Sequence, residues 1–218
     1  MKGLLIKDWK LLKNQGRFYA VIVLFALVVM AASESGYTFA GYYLTFLASL
    51  FTLSTFSYDE ENGGTGFLMT LPADRKTYVK EKFLFGILLT GGSWLVSCLL
   101  SAVFLMLRKP GENPLSLIPP MLGFLAVFLL LLFAAIPMIL RFGPEKGRLG
   151  LVGMIGIFTL LLIIISRTAG SADAAVESLK LVLARYTAAS VSVAVILYLA
   201  VIQACYRISV RIMEKREF

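Results

Sequence analysis

The densest set of chemically capable side chains lies between Tyr58 and Lys82, in YDEENGGTGFLMTLPADRKTYVKEK. Asp59, Glu60, Glu61, Asp74, Arg75, Lys76, Lys80, Glu81 and Lys82 all fall in this stretch, and long uncharged runs flank it on both sides. Carboxylates and amines at this density could serve acid–base catalysis, metal binding, ion transfer or recognition of a water-soluble partner. Catalysis and metal binding lack their usual companions. There is no histidine, and Cys98 and Cys205 sit inside hydrophobic runs, where they read as small packing residues rather than a disulfide or a metal pair. A zinc or haem site is therefore short of ligands. No G-x-x-x-x-G-K-[ST] phosphate loop occurs either, since GPEKGR at 143–148 has neither its spacing nor its hydroxyl. The chain binds no cofactor by this reading and cannot use ATP itself.

The elements that must position this stretch are apolar. Of 218 residues 59% are hydrophobic and the mean hydropathy is +0.84, against roughly 45–50% apolar residues in a soluble domain. The sequence predicts an all-α, polytopic membrane protein forming one transmembrane domain over 1–218. Its formal net charge of +8 reads as basic flanks beside apolar spans rather than a nucleic-acid surface. The first apolar run begins only at Phe18, after a basic segment, and Ala31, Ala32 and Ser33 are a poor cleavage site, so a removable signal peptide is not expected.

Six spans are predicted. Residues 1–17 form either an interfacial amphipathic helix, with Leu4, Leu5, Trp9, Leu11 and Leu12 against Lys7, Lys10, Lys13 and Asn14, or a simple basic flank; Ile6 and Asp8 break the pattern. The first span, Phe18 to Ala32, and the second, Tyr37 to Ser57, form a hairpin through Ser33–Gly36. A third runs from Phe83 to Leu107, with Gly86, Gly91 and Gly92 as small residues for close helix approach. The fourth, about Leu115 to Leu140, has Pro119, Pro120 and Pro137 near its ends, where kinks or frayed turns are expected. The fifth starts near Leu149 with Gly150, Gly153 and Gly156 as a packing face, for the bundle or for a dimer. Residues 167–186 read as an amphipathic helix or re-entrant hairpin at the surface, and the sixth span is about Thr187 to Tyr206.

With six spans both termini share a side, and the basic residues say which. Sixteen of the 21 Lys and Arg fall in the N-terminal segment, the 58–82 loop, the 141–148 turn and the C-terminal tail; five fall on the other face. The positive-inside rule then places both termini and the 58–82 loop in the cytoplasm and 167–186 outside. None of the six spans contains an Asp, Glu, Lys, Arg or His, which disfavours a proton-coupled pathway and intramembrane hydrolysis. Gln203 is the one strongly polar exception, read as a helix-packing hydrogen bond.

Within the loop, Gly63 and Gly64 permit a sharp turn, Thr65 can cap a short helix, and Pro72 limits Gly66 to Leu71 to about two turns. Phe67, Leu68 and Leu71 are its apolar knobs, Asp74 can cap the helix that enters the third span, and Arg75 to Lys82 anchor that span at the headgroups. The sequence Glu61, Gly63, Gly64, Thr65, Phe67 to Pro72, Arg75 and Lys82 resembles the cytoplasmic coupling segment of ABC-2-type exporter permeases. The opening MKGLLIKDWKLL and the YDEENG start of the loop are most similar to small bacterial permeases, including exporters of cytolytic and antimicrobial peptides.

The resemblance implies a permease subunit in a bacterial plasma membrane, itself not an enzyme. It implies a second permease, identical or different, and separate ATP-binding-cassette ATPase subunits that carry ATP and Mg. It assigns ATPase coupling to Glu60, Glu61, Gly63, Gly64, Thr65, Phe67, Leu68, Leu71, Pro72 and Arg75, and the cargo would be amphipathic, peptide or lipid-like. From the residues alone, Phe67, Leu68 and Leu71 could equally dip into the lipid interface, and a non-transporting membrane sensor or assembly protein that recruits a cytosolic partner through 58–82 is the alternative.

Overall fold

Backbone in hydrocarbon must satisfy its own N–H and C=O groups, and helices do so locally. The computed structural model describes residues 2–33, 36–60, 64–70, 74–109, 111, 113–169 and 187–216, and helices account for nearly all of them. In order these are α1 (Lys2–Asn14), α2 (Gly16–Ala32), α3 (Gly36–Glu60), α4 (Gly64–Thr70), α5 (Arg75–Arg108), a 3-10 turn (Pro114–Leu117), α6 (Ile118–Phe142), α7 (Pro144–Ala169) and α8 (Thr187–Lys215). Four described helices are long and apolar enough to cross a membrane. The count is five if α1 and α2, bent by 62° at Gln15, form one broken span. The expected surface segment at 167–186 lies outside the described residues except for its first three, which continue α7.

The helix α3 is the hub. It packs against α2, α5, α6 and α7, and its buried face alternates apolar residues such as Leu44, Phe51 and Phe56 with Thr45, Thr52 and Thr55. Those hydroxyls are satisfied within the helix: Thr45 donates to the Gly41 carbonyl at 2.9 Å and Thr55 to that of Thr52 at 2.8 Å. Polar side chains are thereby carried through an apolar bundle on bonds within their own helix, with the Thr55 hydroxyl also accepting from Lys82 of α5. The main core joins Leu53, Phe56, Tyr78, Phe83, Phe133, Ile136 and Met213, from α3, α5, α6 and α8.

Only some expected small-residue contacts form. A Cβ on Gly86 would lie 2.8 Å from Leu132 Cδ2 and 3.3 Å from Thr52 Cγ2, and one on Gly150 would lie 2.4 Å from Met138 Cε. At Gly91, Gly92, Gly153 and Gly156 a Cβ would meet nothing within 4 Å. Those four glycines are not used in helix packing within the described chain. Pro119 and Pro120 start α6 rather than kink it, because the first turn of a helix has N–H groups without acceptors in any case. Gly143 ends α6 at φ 83°, and Pro144 opens α7 directly behind it.

Basic segments far apart in sequence meet at one end of the bundle. Lys7 of α1 pairs with Asp59 at the end of α3, Arg216 pairs with Glu60, and Glu145 and Lys146 of the α6–α7 turn share a cleft with Tyr58 and Glu60. At the other end Arg108 donates to the Ser33 carbonyl at 3.0 Å and to that of Ala31, closing the last turn of α2. Substituting Gly86 by Val should lower stability by about 1–3 kcal/mol through overpacking against Leu132. Gly91→Val should be close to neutral, and thermal unfolding in detergent compares the two.

Candidate functional site

The stretch that carries the charges is mostly helical. The second span continues unbroken to Glu60 and α5 begins at Arg75, so only short links separate them from the two-turn helix α4. At 34 residues, α5 extends about 51 Å. That exceeds a ~30 Å hydrocarbon core, so α5 carries its first turns beyond the apolar layer.

Lys82 is fully buried at the centre of a charge cluster. Its ammonium lies 2.6 Å from Asp8 Oδ2, 2.8 Å from Asp59 Oδ2 and 2.9 Å from the Thr55 hydroxyl. The rings of Phe56 and Tyr78 stand 5.1 and 5.4 Å from it. The Tyr78 hydroxyl donates to Asp59 Oδ2 at 2.9 Å. Lys7 closes the cluster, pairing with Asp59 and lying 3.2 Å from Asp8 Oδ1. Glu81 is also fully buried, and neither of its carboxylate oxygens has a hydrogen-bond partner among the described residues.

This corrects the expectation for Lys82 and explains two neighbouring residues. Lys82 does not reach the headgroups but is held inside the protein by α1 and α3. Asp59 is not a solvated helix end: it is 4% exposed and accepts from two lysines and a tyrosine. Asp8, the residue that broke the amphipathic pattern of α1, breaks it because it pairs inward. Removing one member of a buried ion pair leaves the other charge uncompensated, which costs roughly 3–5 kcal/mol.

The helix α4 stands directly on this cluster. Thr65 is buried and donates to the Asp59 carbonyl at 2.9 Å, so it tethers α4 to the end of α3 rather than capping its own helix. Gly64 approaches that same carbonyl, to 2.8 Å from a Cβ built on it. The three expected apolar knobs separate. Phe67 points outward with 67% exposure, whereas Leu68 packs down onto the main core. Leu71 lies outside the described residues, as do Glu61, Gly63 and Pro72.

Both flanks of α4 are fastened to the end of α8. Before α4, Glu60 pairs with Arg216; after it, Arg75 donates to the Glu214 carbonyl at 2.6 Å and to that of Met213 at 3.4 Å. Lys76 adds an exposed pair with Glu214 at 3.3 Å. The sequence reading took this tail for an orienting basic flank. Asp74 does occupy the position before α5, but without a side-chain capping bond. At the end of α3, a cleft of about 700 Å³ lies between Gln15, Tyr58, Glu60 and the Phe142–Lys146 turn.

Among the described residues no group of three or more His, Cys, Asp and Glu is arranged to hold a metal. Gln203 is exposed, and no hydrogen bond joins it to another described residue, so the expected packing bond is not made within the described chain. Residues 3–214 match the model of the family described as "ABC-2 family transporter protein". No curated protein and no solved structure gives a significant match.

Lys82→Met should destabilise the protein by about 3–5 kcal/mol. Adding Asp8→Asn should recover part of that loss, since the second change removes a carboxylate left without its cation. Unfolding midpoints of the two single variants and the double variant measure the coupling.

Proposed function

The chain belongs to the ABC-2 family of transporter proteins, and from that premise we propose that it couples a separate ATPase to the export of amphipathic, peptide or lipid-like cargo. The family makes it a transporter's membrane component, a permease rather than an enzyme. One observation carries the coupling reading: α4 presents Phe67 to solvent while every other described contact around it is braced. A large apolar side chain on a rigid two-turn helix, ringed by charge, is the kind of group that anchors a protein interface. The alternative, burial of Phe67 in the lipid interface, fits less well with flanks that are tied to charged residues of α8 on both sides.

In this reading ATP and Mg belong to the partner ATPase, and the end of the bundle that gathers α1, α4, the α6–α7 turn and the α8 tail faces the cytoplasm of a bacterial cell. Thr65, Glu60 and Arg75 are positioning residues that fix α4, and Phe67 is the contact. The uncharged spans agree with an apolar cargo. A second permease is part of the proposal, and Gln203 favours it: an exposed amide on a membrane-crossing helix is costly in hydrocarbon and is satisfied by a neighbouring helix.

Phe67→Asp should weaken copurification of the ATPase by on the order of thirtyfold or more, as for an interface hot spot. Membrane insertion and the unfolding midpoint should not change, because Phe67 is outside the core. Unchanged ATPase binding would sink the docking claim. ATPase binding without cargo movement in reconstituted vesicles would instead favour a recruiting membrane protein. Gln203→Leu should reduce self-association of the permease in a crosslinking assay and leave ATPase binding intact.

A further inference from the structure

A second cavity has different chemistry. Between α1–α2, α3 and α5 runs an apolar groove of about 530 Å³, within the ~300–1,000 Å³ range of ligand sites. Trp9 and Gly16 line one end and Leu100 the other, with Leu44, Leu88 and Gly92 between. From Leu88 to Leu100 the groove follows about 18 Å of α5, close to the ~15 Å depth of one leaflet's hydrocarbon. Where Gly16 and Gly92 form its wall, a Cβ would meet nothing within 4 Å, so the space is not closed by the chain itself.

Two basic residues adjoin the lining residues of the Trp9–Gly16 end in the sequence. Lys13 lies one turn after Trp9, and Arg17 follows Gly16. Both are exposed, and no ion pair joins either to a described residue. The 62° bend between α1 and α2 brings α1 toward the membrane plane when α2 crosses it, which sets these cations at headgroup depth. We infer that the groove holds one acyl chain of an anionic phospholipid, with Lys13 and Arg17 binding its phosphate. A second copy of this chain fits poorly, since a two-fold contact here would set the same cations against each other. A cationic peptide meets the same repulsion. The inference concerns a groove separate from α4 and stands whether or not Phe67 binds an ATPase.

The test is native mass spectrometry of the full chain from nanodiscs of equal parts phosphatidylglycerol and phosphatidylcholine. The wild-type chain should retain phosphatidylglycerol in preference. Gly92→Phe, whose Cβ meets nothing within 4 Å and whose ring would occupy the groove, should release it. Lys13→Glu combined with Arg17→Glu, on exposed positions outside the core, should cut the preference for phosphatidylglycerol on the order of tenfold. Equal retention by all three chains overturns the proposal, as does an unchanged headgroup preference in the charge variant, which remains decisive if Gly92→Phe fails to fold. A change of oligomer mass in Gly92→Phe with lipid retained would assign the groove to a second copy. Loss of transport with lipid retained would assign it to cargo; either result overturns the lipid reading.

Discussion

Lys82 is the constraint on which the rest depends. A fully buried ammonium is tolerable only with counter-charges in direct contact, and here they come from residues 8 and 59, on two other helices. That requirement docks α1 against α3 and α5 rather than leaving it as a free basic flank. It also fixes the end of α3, because Asp59 is bonded on its side chain by Lys82, Lys7 and Tyr78 and on its carbonyl by Thr65. One buried charge thus sets the angle of the N-terminal helix and the seat of α4. The apolar groove follows from the same docking, since its mouth is built from α1 and its wall from α5.

The apolar helices were legible because their signal is additive, a run of about eighteen or more apolar residues having few other meanings. Their number was read as six, where four described helices, or five with α1–α2 as one broken span, are long and apolar enough to cross a membrane. A short helix here was legible for a local reason, the Gly63–Gly64 pair and Pro72 that bracket it, although it starts at Gly64 rather than Gly66. The charge cluster was not legible, although one clue was present. Asp8 sat on the wrong face of an otherwise amphipathic helix, and such a break is the mark of an inward pair. Pairing Asp8 with Lys82 joins residues 74 positions apart, and periodicity within a single helix says nothing about a partner at that distance. Reading Lys82 as a headgroup anchor followed the average behaviour of basic residues at span ends, which a specific pair overrides.

The small residues show the same limit from the other side. Gly86 and Gly150 meet neighbouring side chains closely, while Gly91, Gly92, Gly153 and Gly156 do not. Small residues mark where a helix can be approached, not what approaches it. Phe67 and Leu68 make the point within one turn: both are apolar and adjacent, but only the backbone placement of α4 decides that one packs inward and the other stays out. The fastening of α4 by Arg75 and Arg216 was hidden because basic residues near a membrane have a generic explanation that masks a specific one.

The bracing of α4 has a mechanical consequence. Arg75 is the first residue of α5, and Arg108, the last, closes the end of α2 at the opposite side of the bundle. An unbroken helix transmits displacement along its axis because bending it strains many hydrogen bonds at once. The same α5 is joined through Lys82 to α1, which leads directly into α2. So α1, α2 and α5 are linked at both ends of the bundle, through Lys82 and Asp8 at the α4 end and through Arg108 where α2 stops. The helix α8 joins this frame through Tyr206, whose ring meets Phe83 of α5 edge-on, and through its last turns at Met213 to Arg216, while much of its apolar length stays exposed. Beside this frame, α7 and α8 leave much of their described apolar surface open.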